Sequence, residues 1–484
     1  MSCLKRILTG CALWLLPALA HAVPPNILFI VSEDNGPEMG CYGTPIATPH
    51  LDGLAKQGTL FRNAYVPQAG CSQSRAAFLT GLYPHQNGQI GLATWKYTMY
   101  SKTTPNIVTT LQQAGYRTGI IGKLHVNPRE AFPFDFKAIG TSNFSRQGMA
   151  KYFEQARLFM NDSKQPFYLQ VNFPDAHRPF LKQVDGLPTK PLIGEDVAAL
   201  PFMGIDHPEL RQQTADYYNC MMRLDAYIGR LLQVLAASGK AKNTVVVYIG
   251  DHGADVMRGK RTSYEGGVRI PMIIRWPGAS VGQRRAELVS TLDLFPTFCE
   301  IAGALTPKAL VGRSLKPILH GQTPEWRRYL FTEFHVHSNH NPWPQRTVRD
   351  ERFKLIHNPV VTKAGEVNPG YDFTMGKKFF AADEAELMAK APVQVRAAYA
   401  LMKKPPPFEL YDLQTDPYEF QNLADNPAHA ETRARLITEM RRWQKETNDP
   451  LIDPAIARRL FHLIQNAGTA DRKPLDYKSF MKLK

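Results

Sequence analysis

Apolar residues come in short runs along this chain, each followed by polar residues and then by a stretch with helical spacing. "NILFIVSEDNG", from Asn26, is an apolar run of strand length ending in Glu33, Asp34 and Asn35: a buried strand delivering carboxylates to a sheet edge. "TPHLDGLAKQG" reads as a short helix closed by Gly58. "NIVTTLQQAG" and "YRTGIIGKLHV" read as helix then strand, "PFYLQVNF" as a strand running into "PDAHRPF", and Pro208 to Ala237 as a long helix before the strand "NTVVVYIGDHG". This alternation predicts an α/β fold with a large, mostly parallel sheet flanked by helices. Ligands of such sheets bind beyond the carboxyl ends of the strands.

After "VGRSLKPILHG" the texture changes. "YLFTEF", "QRTVRDERFKLIHN" and "FELYDLQTDPYEFQNLA" predict short antiparallel strands, and "ETRARLITEMRRWQKE" a helix. The expected organisation is a main domain over 23–329 and a smaller C-terminal α+β domain with an antiparallel sheet over 330–484. No solenoid repeat and no long low-complexity segment interrupts it.

The first residues add a destination. Lys5 and Arg6, the apolar "ILTGCALWLLPALA" and the small residues of "AHA" predict a signal peptide over 1–22 and an exported chain, periplasmic or secreted. "LTGC", ending at Cys11, resembles a lipoprotein processing site, but it lies so early that most of the apolar stretch would follow it. No later apolar run is long enough to span a bilayer. Cys41, Cys71, Cys220 and Cys299 remain after the leader, too widely spaced for a dense disulfide framework, and Cys220 and Cys299 fall among core positions. The formal charge of +15, of which Lys5 and Arg6 supply two, favours polyanionic partners. For an exported chain a sulfated or carboxylated polysaccharide fits better than nucleic acid; a generally basic solvated surface accounts for the charge equally well.

Candidate chemistry gathers at four strand ends: Glu33, Asp34 and Asn35; Lys123 and His125; Asp175 and His177; Asp251 and His252. Two acidic clusters on separate strands suit a hard divalent cation, calcium or magnesium, and no cysteine or histidine spacing favours zinc. "GCSQSRAAFLTGL" places Cys71 at a helix start, where free amides favour an anion, with Arg75 one turn on along the same face. A nucleophile beside a cation describes a site for an anionic substrate. From the residues alone, Cys71 is equally a buried residue at a helix start.

The ordered motifs "CSQSRAAFLTGLYPHQNG", "GYRTGIIGKLHV", "GKRTSYEGGVRIPMIIRWPG" and "ELYDLQTDPYEFQNLA" resemble those of the sulfatases of the alkaline-phosphatase-like superfamily. Within that family "HQNGQIGL", "DAHRPF" and "RTVRDERFKLIHN" are most similar to the sulfamidases, which remove N-sulfo groups from glucosamine. The resemblance implies that a formylglycine-generating enzyme converts Cys71 to formylglycine. Hydrated, that aldehyde carries two hydroxyls on one carbon, one to attack sulfur and one to expel sulfate. It also implies one Ca2+ per chain held by Glu33, Asp34, Cys71, Asp251 and His252. Arg75, Lys123 and Lys260 would hold the developing charge, His125 would assist the nucleophile and His177 would serve as acid. The small domain would complete the pocket, bringing His335, His337 and Arg346 to the substrate, with His340 at the mouth or on a surface loop.

The implied substrate is a heparan-type sulfated saccharide, with an O-sulfated glycan as second choice and no nucleic acid or membrane partner. A phosphohydrolase, or a glycan-binding protein without turnover, becomes the reading if Cys71 stays a thiol. Three positions depart from the family pattern: Gln73 stands where the maturation signature has proline or alanine, Glu33 where aspartate is commoner, and His252 where asparagine is frequent.

Overall fold

β1 (Asn26–Ser32) shows why the large sheet forms: all of its residues are buried, and alternate side chains serve opposite faces. The computed structural model describes residues 24–361, 366–375, 382–469 and 472–482, so the expected leader lies outside the described residues. Ile27, Phe29 and Val31 pack with the helices Cys71–Thr80, Ile107–Gln113 and Leu294–Ala302. Leu28 and Ile30 face the helices Ala150–Asp162 and Pro208–Ala237. Each fully buried side chain of this size contributes about 1.5–3 kcal/mol, so both helix layers are held by the strand between them.

The other strands of this sheet are β2 (Thr59–Tyr65), β3 (Arg117–Ile121), β4 (Phe136–Ala138), β5 (Phe167–Phe173), β6 (Thr244–Gly250), β7 (Arg269–Arg275) and β8 (Gln283–Ser290). Their order is β4-β3-β5-β1-β6-β7-β2-β8, and β7 runs antiparallel to both neighbours. β1 pairs in parallel with β5 and β6, and β5 with β3. This register sets the carboxyl ends of β3, β5, β1 and β6 side by side, with all four polar clusters beyond them.

The second sheet contains β9 (Leu330–Phe334), β10 (Gln345–Arg349), β11 (Phe353–His357) and β12 (Phe408–Asp412), antiparallel throughout in the order β12-β11-β10-β9. Leu436 and Met440 of the helix Ala430–Glu446 cover it against Val348, Leu355 and Leu410. Gly58 has a different role from the expected cap: the helix Pro49–Lys56 ends at Gln57, and a Cβ on Gly58 would lie 2.3 Å from the Ile274 carbonyl. Close approach to β7 keeps it glycine. Among the described residues no helix is long and apolar enough to cross a membrane.

Charge joins the two sheets. Glu265, just before β7, bonds Lys354 of β11 at 3.1 Å and Arg349 of β10 at 3.0 Å. Burial alone would raise its pKa, but Lys354, Arg349 and Arg269 together outweigh burial and hold it at about 2, below the ordinary 4.5. A depressed carboxylate contributes stability above its unfolded pKa and loses it as pH falls through the folded one. Melting temperature is therefore expected to drop between about pH 4.5 and 2, and Glu265→Gln to be less stable at neutral pH with a flatter acid limb; parallel pH profiles would refute the assignment.

Candidate active site

Cys71 is the first residue of its helix, after Gly70 in extended conformation, and is 2 % exposed. The amides of this first turn have no partners within the helix. Its sulfur lies 3.4 Å from His252 Nε2 and 3.8 Å from Asp34 Oδ1. The rings of His125 and His337 also lie against it, and both nitrogens of His125 and Nε2 of His337 have no conventional hydrogen-bond partner among the described residues.

The charges around this atom hold one another in place. Arg75 donates from Nε to Asp251 Oδ2 at 3.1 Å, and from Nη1 to Asn172 Oδ1 at 2.7 Å and the Lys123 carbonyl at 2.9 Å. Lys260 Nζ donates to Asp34 Oδ2 at 2.8 Å, and the Asp34 amide to Asp251 Oδ1 at 2.9 Å. Burial acts to raise the Cys71 pKa, but Lys123, Lys260 and His252 overcome it and bring the thiol well below 9.0. The core thiols Cys220 and Cys299 are instead pushed up, to about 12 and about 11, chiefly by burial. Cys71 thus occupies an anion site and the other two do not.

Histidine protonation divides along the same lines. Burial, helped by Lys123, lowers His125 to about 4, so the ring is neutral near neutral pH and can accept a proton. Burial also opposes charge on His252, but Asp251, Asp34 and the Cys71 sulfur outweigh it and raise it to about 9. His177 is the more exposed member of the set: Nδ1 pairs with the Arg178 carbonyl at 2.7 Å, Nε2 faces Asp34 Oδ2 at 3.8 Å, and the Phe144 ring lies 4.6 Å from its own.

Asp34, Cys71, Asp251 and His252 each offer one donor atom, all within 4.8 Å of one another. Two of the four donors are carboxylate oxygens, the ligands a hard cation takes, and the negative charge that draws a proton to His252 is what a divalent ion at the same atoms would neutralise. The donors therefore fit a metal.

Residues 25–304 match the sulfatase family, and residues 250–372 match the C-terminal domain of N-sulphoglucosamine sulphohydrolase. Human N-sulphoglucosamine sulphohydrolase is 32% identical over 91% of this chain and 94% of its own length. The chain belongs to the sulfatase family. An ulvan-active sulfatase of Formosa agariphila is 30% identical over 89% of this chain and 82% of its own. Two solved structures share the fold: one described in complex with its substrate D-glucosamine-2-N,6-O-disulfate (TM-score 0.64, 22% identity, covering 88% of this chain and 98% of that one), and the phosphonate monoester hydrolase of Agrobacterium radiobacter (0.66, 20%, 87% and 96%). The alkaline-phosphatase-like architecture expected from the motifs is thereby established, as is the enzyme class: a hydrolase of sulfate esters or sulfamates.

In this sulfatase several residues sit elsewhere than expected. Glu33 is drawn away from the four-donor cluster, because its longer side chain reaches Lys123 Nζ at 2.7 Å and accepts from Ser142 Oγ at 3.2 Å. It remains near Asp34 and His177 in a second acidic group. His335 and Arg346 lie behind the site rather than in its mouth. Both are wholly buried; His335 bonds Gln68 Oε1 and Arg346 Nη2 at 3.0 Å each, and Arg346 makes a two-pronged pair with Asp449 at 2.7 Å. His340 sits between the rings of Trp95 and Phe373, with centroids 5.1 and 5.2 Å away. Asp175 is taken by Arg146 and Arg223.

Sequence reasoning missed Asn172, which orients Arg75 and in turn accepts from Gln170 Nε2 at 2.9 Å. Polar residues at alternate positions of the otherwise apolar "FYLQVNF" were the available signal. Gln73, the odd member of the maturation signature, is wholly buried and donates from Nε2 to the Val336 carbonyl at 2.6 Å. It thereby ties the helix that Cys71 begins to the segment that carries His337.

Proposed function

We propose that this sulfatase hydrolyses the sulfo group of a sulfated saccharide, with the N-sulfo group of a heparan-type glucosamine as first choice. The observation that carries the reading is the convergence of Arg75, Lys123, Lys260, His125, His252 and His337 around one buried atom, Cys71 Sγ, where this reading puts the formylglycine oxygens. Similarity to human N-sulphoglucosamine sulphohydrolase over most of the chain, and the match of residues 250–372 to the C-terminal domain of that enzyme, support the N-sulfo choice. The relative described as ulvan-active supports an O-sulfated polysaccharide as the second reading.

Asp34, Asp251 and His252, with the oxygen that replaces the Cys71 sulfur, would hold one Ca2+; bound there, it would offset charge on the sulfo oxygens and orient the nucleophile. Formylglycine would supply paired hydroxyls on one carbon. His125, neutral, takes a proton from the attacking hydroxyl, and His177 Nε2 delivers one to the departing nitrogen or oxygen. Arg75, Lys123 and Lys260 stabilise the charge that develops on the sulfo oxygens. Arg346 and His335 act by positioning, and His337 brings the 330–484 region to the substrate. In this reading a leader over 1–22 exports the chain to the periplasm or medium, and a formylglycine-generating enzyme accepts Gln73 in its recognition segment.

Two measurements test this. The Cys71 peptide from protein made in its own host is expected to carry the aldehyde mass; a thiol throughout would transfer the reading to a phosphohydrolase or a glycan-binding protein. A panel of N-, 2-O- and 6-O-sulfated mono- and disaccharides is expected to lose sulfate from the N-sulfated members first. Release from O-sulfated members alone would sink the sulfamidase assignment.

A further inference from the structure

A cavity of about 1110 Å³ opens between the β8 edge of the large sheet and the β10–β11 turn of the small one, and none of the residues named around Cys71 lines it. Eight arginines line it against four acidic residues. They converge from separate segments: the start of β7, β8, the stretch before β9, the β10–β11 turn and the helix Ala430–Glu446.

Most of these guanidiniums are matched by carboxylates, as Arg352 is by Asp412 at 2.6 Å and Arg435 by Asp350 at 2.7 Å. Arg269, Arg284 and Arg328 make no ion pair among the described residues. Arg269 donates to the Arg62 carbonyl, Arg284 to the Cys41 carbonyl, and Arg328 lies over the Tyr329 ring at 5.5 Å. Arg269 helps keep Glu265 ionised, so the charge left to an external anion is that of Arg284 and Arg328. Charged residues on an edge strand also block unwanted pairing, which accounts for Arg284 and Arg285 on β8 but not for Arg269 or Arg328. Guanidinium forks match sulfate and carboxylate oxygens two at a time. The volume exceeds the roughly 300–1,000 Å³ of an ordinary small-molecule pocket, as an extended chain requires.

We propose that this cleft is a second, non-catalytic groove that holds a stretch of sulfated polysaccharide away from the site of cleavage. The inference rests on the reading that the substrate is a sulfated saccharide. Anchoring a long chain there would raise its local concentration at the catalytic site, while a monosaccharide would gain nothing.

The test is equilibrium binding of a heparin-type sulfated octasaccharide to the full chain carrying Cys71→Ala, at low and at physiological salt. Adding Arg284→Glu and Arg328→Glu is expected to weaken binding about 10-fold or more, by removing two attractive charges and adding two repulsive ones. The same change of net charge at Lys190 and Lys242, which are exposed and line no part of this cleft, is expected to weaken it less than about 2-fold, since screening limits charges outside the groove. With Cys71 intact, the Arg284→Glu, Arg328→Glu variant is expected to keep its turnover of a sulfated monosaccharide. Equal weakening by the two charge sets, or none by the groove set, would overturn the groove. A DNA oligonucleotide of the same charge bound as tightly would overturn its assignment to sulfated glycan. Octasaccharide binding that depends on Arg284 and Arg328 in a protein inactive across the saccharide panel would instead overturn the catalytic reading and leave the groove standing.

Discussion

Replacing Cys71 with alanine is expected to reduce sulfate release by at least about 10³-fold, the scale on which a covalent nucleophile is missed while the groups that bind the transferred charge remain. The loss should fall on kcat, because Arg75, Lys123 and Lys260 still present the anion site. Folding should be spared: the helix start tolerates alanine, and the sulfur leaves only a small void. Cys71→Ser separates the chemistry further. Its hydroxyl can bond to sulfur as the amine or alcohol departs with a proton. The carbon carries no second hydroxyl to expel sulfate, so the expected result is one equivalent of desulfated product per site and a protein heavier by one sulfo group. Steady turnover by either variant would remove Cys71 from the mechanism.

The parts of this site that were legible in the sequence share a physical cause. A buried parallel strand must be apolar along its length, so the first polar residues after it mark where it leaves the sheet, as Glu33 and Asp34, Asp251 and His252 do. β1, β5 and β6 announced themselves this way. β8 did not, because "QRRAELVS" lies at a sheet edge and half of it faces solvent. Strand-end position also says nothing about what a carboxylate will meet. Glu33 and Asp34 are adjacent, yet one is captured by Lys123 and the other joins the donor cluster. The partners that decide such outcomes come from loops without periodicity, Arg146 and Ser142 among them. His335 was misplaced for a related reason: in "FHVHSNH" the alternate histidines share a motif, but the fold sets His337 against Cys71 and closes His335 behind Gln68 and Arg346.

Asp175 is where that ambiguity has the largest consequence for stability. Its carboxylate accepts from Arg146 Nε at 3.0 Å and from Arg223 Nε and Nη2 at 2.8 and 2.7 Å, with all three side chains fully buried. Asp175→Ala would leave two guanidiniums in the interior without their counter-charge, and breaking a buried pair from one side costs about 3–5 kcal/mol. That is a large share of the roughly 5–15 kcal/mol that holds a domain folded, so the urea midpoint should fall steeply. Asp175→Asn, which keeps an acceptor but not the charge, should fall between the two. Arg146 also bonds the His177 carbonyl, so residual folded protein should show a weakened kcat through displacement of the proposed acid. A metal-ligand role predicts the opposite pattern, with alanine sparing the midpoint while metal-dependent activity is lost. A midpoint change worth less than about 1 kcal/mol, the size of an exposed ion pair, would therefore return Asp175 to the chemistry of the site.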